Sequence, residues 1–76
     1  MNKATRAAIE KIVNALETLG DEVESLRDYE QEKFDNAPEG LESSEHYAAI
    51  EAAADNLDTA HDNITGAIEA LRAAME

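Results

Sequence analysis

Apolar positions recur at alternating spacings of three and four on both sides of one break in the chain. Ahead of it stand Ile9, Ile12, Leu16, Leu19, Val23 and Leu26; after it stand Tyr47, Ile50, Ala54, Leu57, His61, Ile64, Ile68, Leu71 and Met75. This period aligns one edge of an α-helix into a coiled-coil seam. The first seam turns polar at Glu30 and Lys33, whereas the second is interrupted only by His61.

The break lies in DNAPEGLESS, which holds Pro38 and Gly40. Proline drives Ala37 out of helical geometry, and Gly40 supplies a residue tolerant of unusual backbone angles. Ser43 or Ser44 is placed to cap a following helix, with Glu45 near the positive end of its dipole. The pattern predicts helices over about 3–35 and 44–75 joined by a turn over about 36–43, all within a single domain spanning 1–76. The fold class is all-α: a coiled-coil-like, alanine-rich antiparallel two-helix hairpin. With Gly40 as pivot, seam residues pair where their numbers sum to 80, so Ile9 meets Leu71, Leu16 meets Ile64, Leu19 meets His61 and Leu26 meets Ala54.

The two flanks of this seam differ. One carries Ala8 and Ala15 with Glu22 and Tyr29 on the first helix, and Ala53, Ala60, Ala67 and Ala74 on the second. Small residues allow close approach of a neighbouring helix, and Ala49, Ala70, Asn56 and Asn63 extend the same side. The other flank sets Arg27 near Glu51 and Asp58 as a surface ion pair. One hairpin of 76 residues buries little core, so the alanine side is expected to close against a second copy as a homodimeric four-helix bundle.

Charge changes the picture from fold to partner. The chain carries 18 acidic and 6 basic residues, a net of −12, and no cysteine. Residues 17–58 hold 14 acidic and 2 basic residues, also −12, leaving 4 of each in the terminal half. Glu17, Asp21, Glu24, Asp28, Glu32 and Asp35 recur every three or four residues on the first helix, which aligns them in one stripe opposite the seam, and Glu51, Asp55, Asp58 and Asp62 continue the pattern on the second. Like charges at this spacing repel by a few tenths of a kcal/mol per pair. Such a surface suits solubility, or attraction to a basic surface on a protein partner, including imitation of a nucleic acid. Direct DNA binding is not expected, because phosphate neutralisation needs clustered cations. No apolar run suits a membrane span or an export signal, and a cytoplasmic location is expected.

All three aromatics, Tyr29, Phe34 and Tyr47, lie toward the turn with Leu41. They are expected to close that end, with an exposed ring as the alternative that would anchor a partner. Lys3, Arg6, Lys11 and Arg72 gather at the other end among Glu10, Glu69 and Glu76, a mixed set weakly suited to RNA.

Catalytic chemistry is sparse. Asp58 and His61 have the acid-x-x-His spacing of carboxylate-bridged metal bundles, but converging ligands from the facing helix are missing, so no metal site or cofactor is expected. His61 is read as a register-setting seam residue, and His46 as an exposed residue of a first helical turn. There is no phosphate loop, no thiol nucleophile and no Ser-His-acid set that a hairpin would orient, so no enzymatic activity is expected.

The stretch YEQEKFDNAPEGLESSE, residues 29–45, resembles a turn segment of small acidic helical proteins from bacterial phages and other mobile elements. The resemblance covers about a quarter of the chain and implies a bacterial or viral setting; it brings no activity and no site residue. The function expected from the whole is a non-enzymatic acidic interaction protein, of the kind a phage uses to inhibit a host protein. The alternatives are a small regulatory bundle binding RNA through Arg6 and Arg72, and, more remotely, a metal-binding bundle.

Overall fold

The computed structural model describes every residue except Glu39 and Glu42. It consists of two α-helices, α1 (Lys3–Asp35) and α2 (Glu45–Ala74), with no strand among the described residues. The helices pack along one another in a rod of 59 × 15 × 13 Å.

Both starts are capped by short polar side chains. Asn2 Oδ1 accepts from the Thr5 N–H at 2.8 Å, and Ser44 Oγ accepts from the Tyr47 N–H at 3.4 Å. Each cap satisfies a donor that has no partner within its own helix. Of the two serines expected to cap α2, Ser44 does so. α1 ends before Pro38, with the Asn36 N–H donating to the Glu32 carbonyl at 3.0 Å. The chain reverses through two successive turns, in which Leu41 N–H donates to the Pro38 carbonyl at 3.0 Å and Ser44 N–H to the Leu41 carbonyl at 2.9 Å. Gly40 has φ +88°, the left-handed region that an L side chain rarely enters, which accounts for glycine at this place. The predicted turn includes Glu39 and Glu42, which lie outside the described residues.

The seam of α2 matches its pattern: Tyr47, Ile50, Leu57, His61, Ile64, Ile68, Leu71 and Met75 are half-buried and Ala54 is buried. On α1 the expected seam is half right. Ile9, Leu16 and Val23 turn inward, but the alternate positions are Val13, Gly20, Arg27 and Phe34, each one residue beyond Ile12, Leu19, Leu26 and Lys33. α1 is therefore rotated by roughly half of one residue step, about 50°, from its expected facing.

The cause is visible at Gly20. A β-carbon there would stand 3.4 Å from Ile64 Cγ2, in contact but without overlap, so the Ile64 side chain packs close against the α1 backbone at this point and leaves room for no larger residue. The larger Leu19 in that place would hold the helices apart. Facing positions consequently total 84, as Gly20 and Ile64 do, and not the expected 80. The register is shifted by one helical turn, Leu19 does not meet His61, and α1 overhangs α2 at the terminal end. Residues 1–8 are all exposed there.

Little is fully enclosed. Val13 and Ala54 are the buried hydrophobic residues, with Gly20 beside them. Ile12, Leu19 and Leu26 remain 49 %, 50 % and 55 % exposed, although each is as hydrophobic as any residue in the seam.

Candidate functional site

The nine carboxylates expected to form the acidic surface, Glu17, Asp21, Glu24, Asp28, Glu32, Asp35, Glu51, Asp55 and Asp58, are all exposed. They do not form one uniform stripe opposite the seam. Glu17 and Glu24 directly follow the seam residues Leu16 and Val23, which puts them on the edge of α1 next to α2. There Glu17 accepts from Arg72, and Glu24 Oε2 lies 3.3 Å from His61 Nε2, an ion pair when the imidazole is protonated. Arg27 Nε stands 3.2 Å from Asp28 Oδ1 and 3.8 Å from Asp58 Oδ1. Both approaches are electrostatic, since this nitrogen is buried and makes no hydrogen bond. The pairing of Arg27 with Asp58 follows the sequence expectation; Glu51 takes no part in an ion pair among the described residues.

Lys33 is the other cation of the acidic half. Its Nζ lies 3.1 Å from Glu30 Oε1 and 4.4 Å from the centroid of the Tyr29 ring. Both local cations are thus engaged, and Asp21, Glu32, Glu51 and Asp55 carry no ion pair among the described residues. Asp35 accepts from the Gln31 amide at 3.0 Å and also has no cation. Five of the nine are therefore uncompensated, and exposed Glu22 and Glu45 join them among the described residues of the acidic half.

The aromatics divide. Phe34 and Tyr47 are half-buried toward the turn, and His46 packs edge-on to Tyr47 with ring centroids 5.1 Å apart. Tyr29 is 58 % exposed and Leu41 49 %, so the expected closing cluster loses both members. Tyr29 falls outside because α1 turns Glu30 and Phe34 inward in its place. Its ring borders a shallow depression lined by Glu32, Lys33 and Asn36, with the Lys33 ammonium over one ring face.

On the opposite edge from the ion pairs, α1 carries Ile12, Leu19 and Leu26, flanked by exposed Ala8 and Ala15. The same edge of α2 carries Ala53 and Ala60, half-buried, and Ala67 and Ala74, exposed. On α1 the alanine edge expected from sequence therefore also carries three large hydrophobic side chains assigned to the interior by sequence reasoning. The seven-residue spacing of Ile12, Leu19 and Leu26 was the available signal. Its ambiguity is physical, since a stripe at that spacing suits an inner seam and an outer interface equally well.

At the termini Lys3, Arg6 and Lys11 are exposed, while Arg72 is tied to Glu17. Asp58 and His61 do not converge on a third ligand: no group of three or more His, Asp or Glu side chains able to hold a metal occurs among the described residues. Nor is any helix among them long and apolar enough to cross a membrane. Comparison with protein-family models, curated proteins and solved structures finds no match to this chain.

Proposed function

We propose that this chain is a non-enzymatic interaction protein that presents its acidic turn half to a basic surface of a protein partner. The observation that carries the reading is the one-sided charge: 14 acidic against 2 basic residues over 17–58, with both cations already engaged. Uncompensated carboxylates raise local potential, speed encounter with a cationic surface and cost self-repulsion, so they are worth keeping where a partner relieves it. Tyr29, 58 % exposed beside Glu32 with Lys33 over one face, offers the aromatic contact of this half. The protein so described is a homodimer in the cytoplasm of a bacterial host, and the likeness of residues 29–45 to phage and mobile-element proteins supports an inhibitor or nucleic-acid mimic among such roles.

Binding of RNA through Arg6 and Arg72 has less behind it, because Arg72 is engaged by Glu17. The two readings separate in one experiment. Tagged protein is used to capture partners from bacterial lysate at low and high salt, alongside a variant with Asp21→Asn, Glu32→Gln, Glu51→Gln and Asp55→Asn, and another with Arg6→Ala and Arg72→Ala. A basic protein retained at low salt, released at high salt and lost with the first variant is the expected result. Retention by the first variant, or loss only with the second, rejects the acidic-surface reading.

A further inference from the structure

We infer that the face bearing Ile12, Leu19 and Leu26 is closed by a second copy of the chain lying antiparallel. A two-fold axis then crosses the molecule at Leu19, and the two acidic turn halves lie at opposite ends. This arrangement rests on the homodimer proposed above and is independent of any basic partner.

The first support is area. A folded monomer of 8.3 kDa exposes about 4,600 Å² by the scaling of surface with mass. The hairpin exposes 5379 Å². The difference, about 800 Å², is surface that the 59 × 15 × 13 Å rod leaves uncovered relative to a compact fold, enough to supply one partner's share of a standard stable interface.

Self-complementarity is the second. On α1 the large residues are centred on Leu19, with Ile12 and Leu26 seven residues to either side. The alanines of α2, at seven-residue spacing from Ala53 to Ala74, are centred between Asn63 and Ile64. Ile64 faces Gly20, the residue next to Leu19. The two stripes are therefore centred at nearly the same height on the rod, within about 2 Å at the helical rise. One perpendicular two-fold axis serves both: Leu19 meets Leu19, Ile12 meets Leu26, and the small residues of α2 meet their own copies. An isologous interface requires this coincidence.

Charge selects the direction. Cut at the height of Leu19, residues 19–65 carry 14 acidic and 2 basic side chains, and the remainder 4 of each. A bundle with both turns at one end would gather a net of about −24 there and none at the other. The antiparallel bundle lays each −12 half against a neutral half that holds Lys3, Arg6 and Lys11. The interface itself carries little charge: along the Leu19 edge of α1 it is Glu22 and, toward the turn, the mutually paired Glu30 and Lys33.

Three single-cysteine variants of the otherwise cysteine-free chain test the arrangement, with sedimentation velocity to establish the oligomer. Leu19→Cys, treated with copper phenanthroline, is expected to give a disulfide-linked dimer, because the axis brings the two sulfurs within bonding range. Ile12→Cys, whose copies lie about 21 Å apart along the axis, is not. Spin labels on Ser43→Cys are expected about 60 Å apart, twice the distance from turn to axis. Labels within about 25 Å in a dimer mean a same-end bundle and overturn the antiparallel order while leaving the homodimer. A dimer with no Leu19 cross-link overturns the face, and a monomer at several hundred micromolar overturns both.

Discussion

Gly20 faces Ile64 so closely that a β-carbon on the glycine would touch the isoleucine methyl at 3.4 Å. At this close approach Gly20 faces α2 and Leu19, one residue before it, turns outward, 50 % exposed. Gly20→Ala adds a methyl at the near limit of ordinary packing and removes a helix-destabilising glycine, so a net gain of less than about 1 kcal/mol is expected. Gly20→Leu forces the helices apart and is expected to cost about 1–3 kcal/mol. Urea unfolding midpoints of the two variants measure both. A tolerated leucine would mean that the helices are not held at this contact.

Gly66 is the control. It lies in the interior of α2, exposed, with nothing within 4 Å of an added β-carbon. Gly66→Ala is expected to raise stability by about 0.5–1 kcal/mol through helix propensity alone. A loss in the same urea titration would show that the position is covered by something the isolated hairpin lacks.

How far the chain could be read before folding depended on what each residue must satisfy locally. The helix ends at the turn were legible because capping and turn chemistry are local: Ser44, Pro38 and Gly40 act on backbone groups within a few residues, while the Asn2 cap of α1 came from the structure. The α2 seam was legible because it has one apolar stripe on which to settle. α1 has two, Ile12–Leu19–Leu26 and Val13–Gly20–Arg27–Phe34, and side-chain hydrophobicity favours the first. The structure takes the second because close approach at Gly20 and a salt link from Arg27 to Asp58 act between helices, where residue-by-residue hydropathy carries no information. The acidic half was visible from charge alone, but which carboxylates stay uncompensated followed from the register that joins Glu17 to Arg72 and Glu24 to His61.

The ion pair between Glu17 and Arg72 is exposed on both sides, and pairs of that kind contribute about 0.2–1 kcal/mol at most. A double-mutant cycle with Glu17→Gln and Arg72→Met is expected to give a coupling in that range at low salt, vanishing near 1 M salt. Coupling that persists at high salt would mean that the pair is shielded from solvent.

Salt has the opposite effect on the whole molecule. Seven described carboxylates without an ion pair, within a net charge of −12, repel one another across the acidic half. Screening weakens that repulsion over about 10 Å at 0.1 M salt. Melting temperature is expected to rise between about 10 and 200 mM sodium chloride, and the rise should shrink in the variant neutralised at Asp21, Glu32, Glu51 and Asp55. A fall with salt in the native protein would mean that favourable ion pairs outweigh the repulsion.

Val13 and Leu19 separate the stability of the hairpin from that of its association. Val13 is fully buried within one chain, so Val13→Ala is expected to cost about 1.5–3 kcal/mol at every protein concentration. Leu19 is half exposed in one chain and lies at the centre of the inferred two-fold interface. Leu19→Ala should then cost little in dilute protein, where monomers dominate, and progressively more as concentration brings dimers into the native population. Thermal melts from about 1 to 500 µM distinguish the two cases. Native protein is expected to gain melting temperature across that range, Val13→Ala to run parallel below it, and Leu19→Ala to stay flat. Three parallel lines would place Leu19 with the ordinary exposed hydrophobic residues of a monomer.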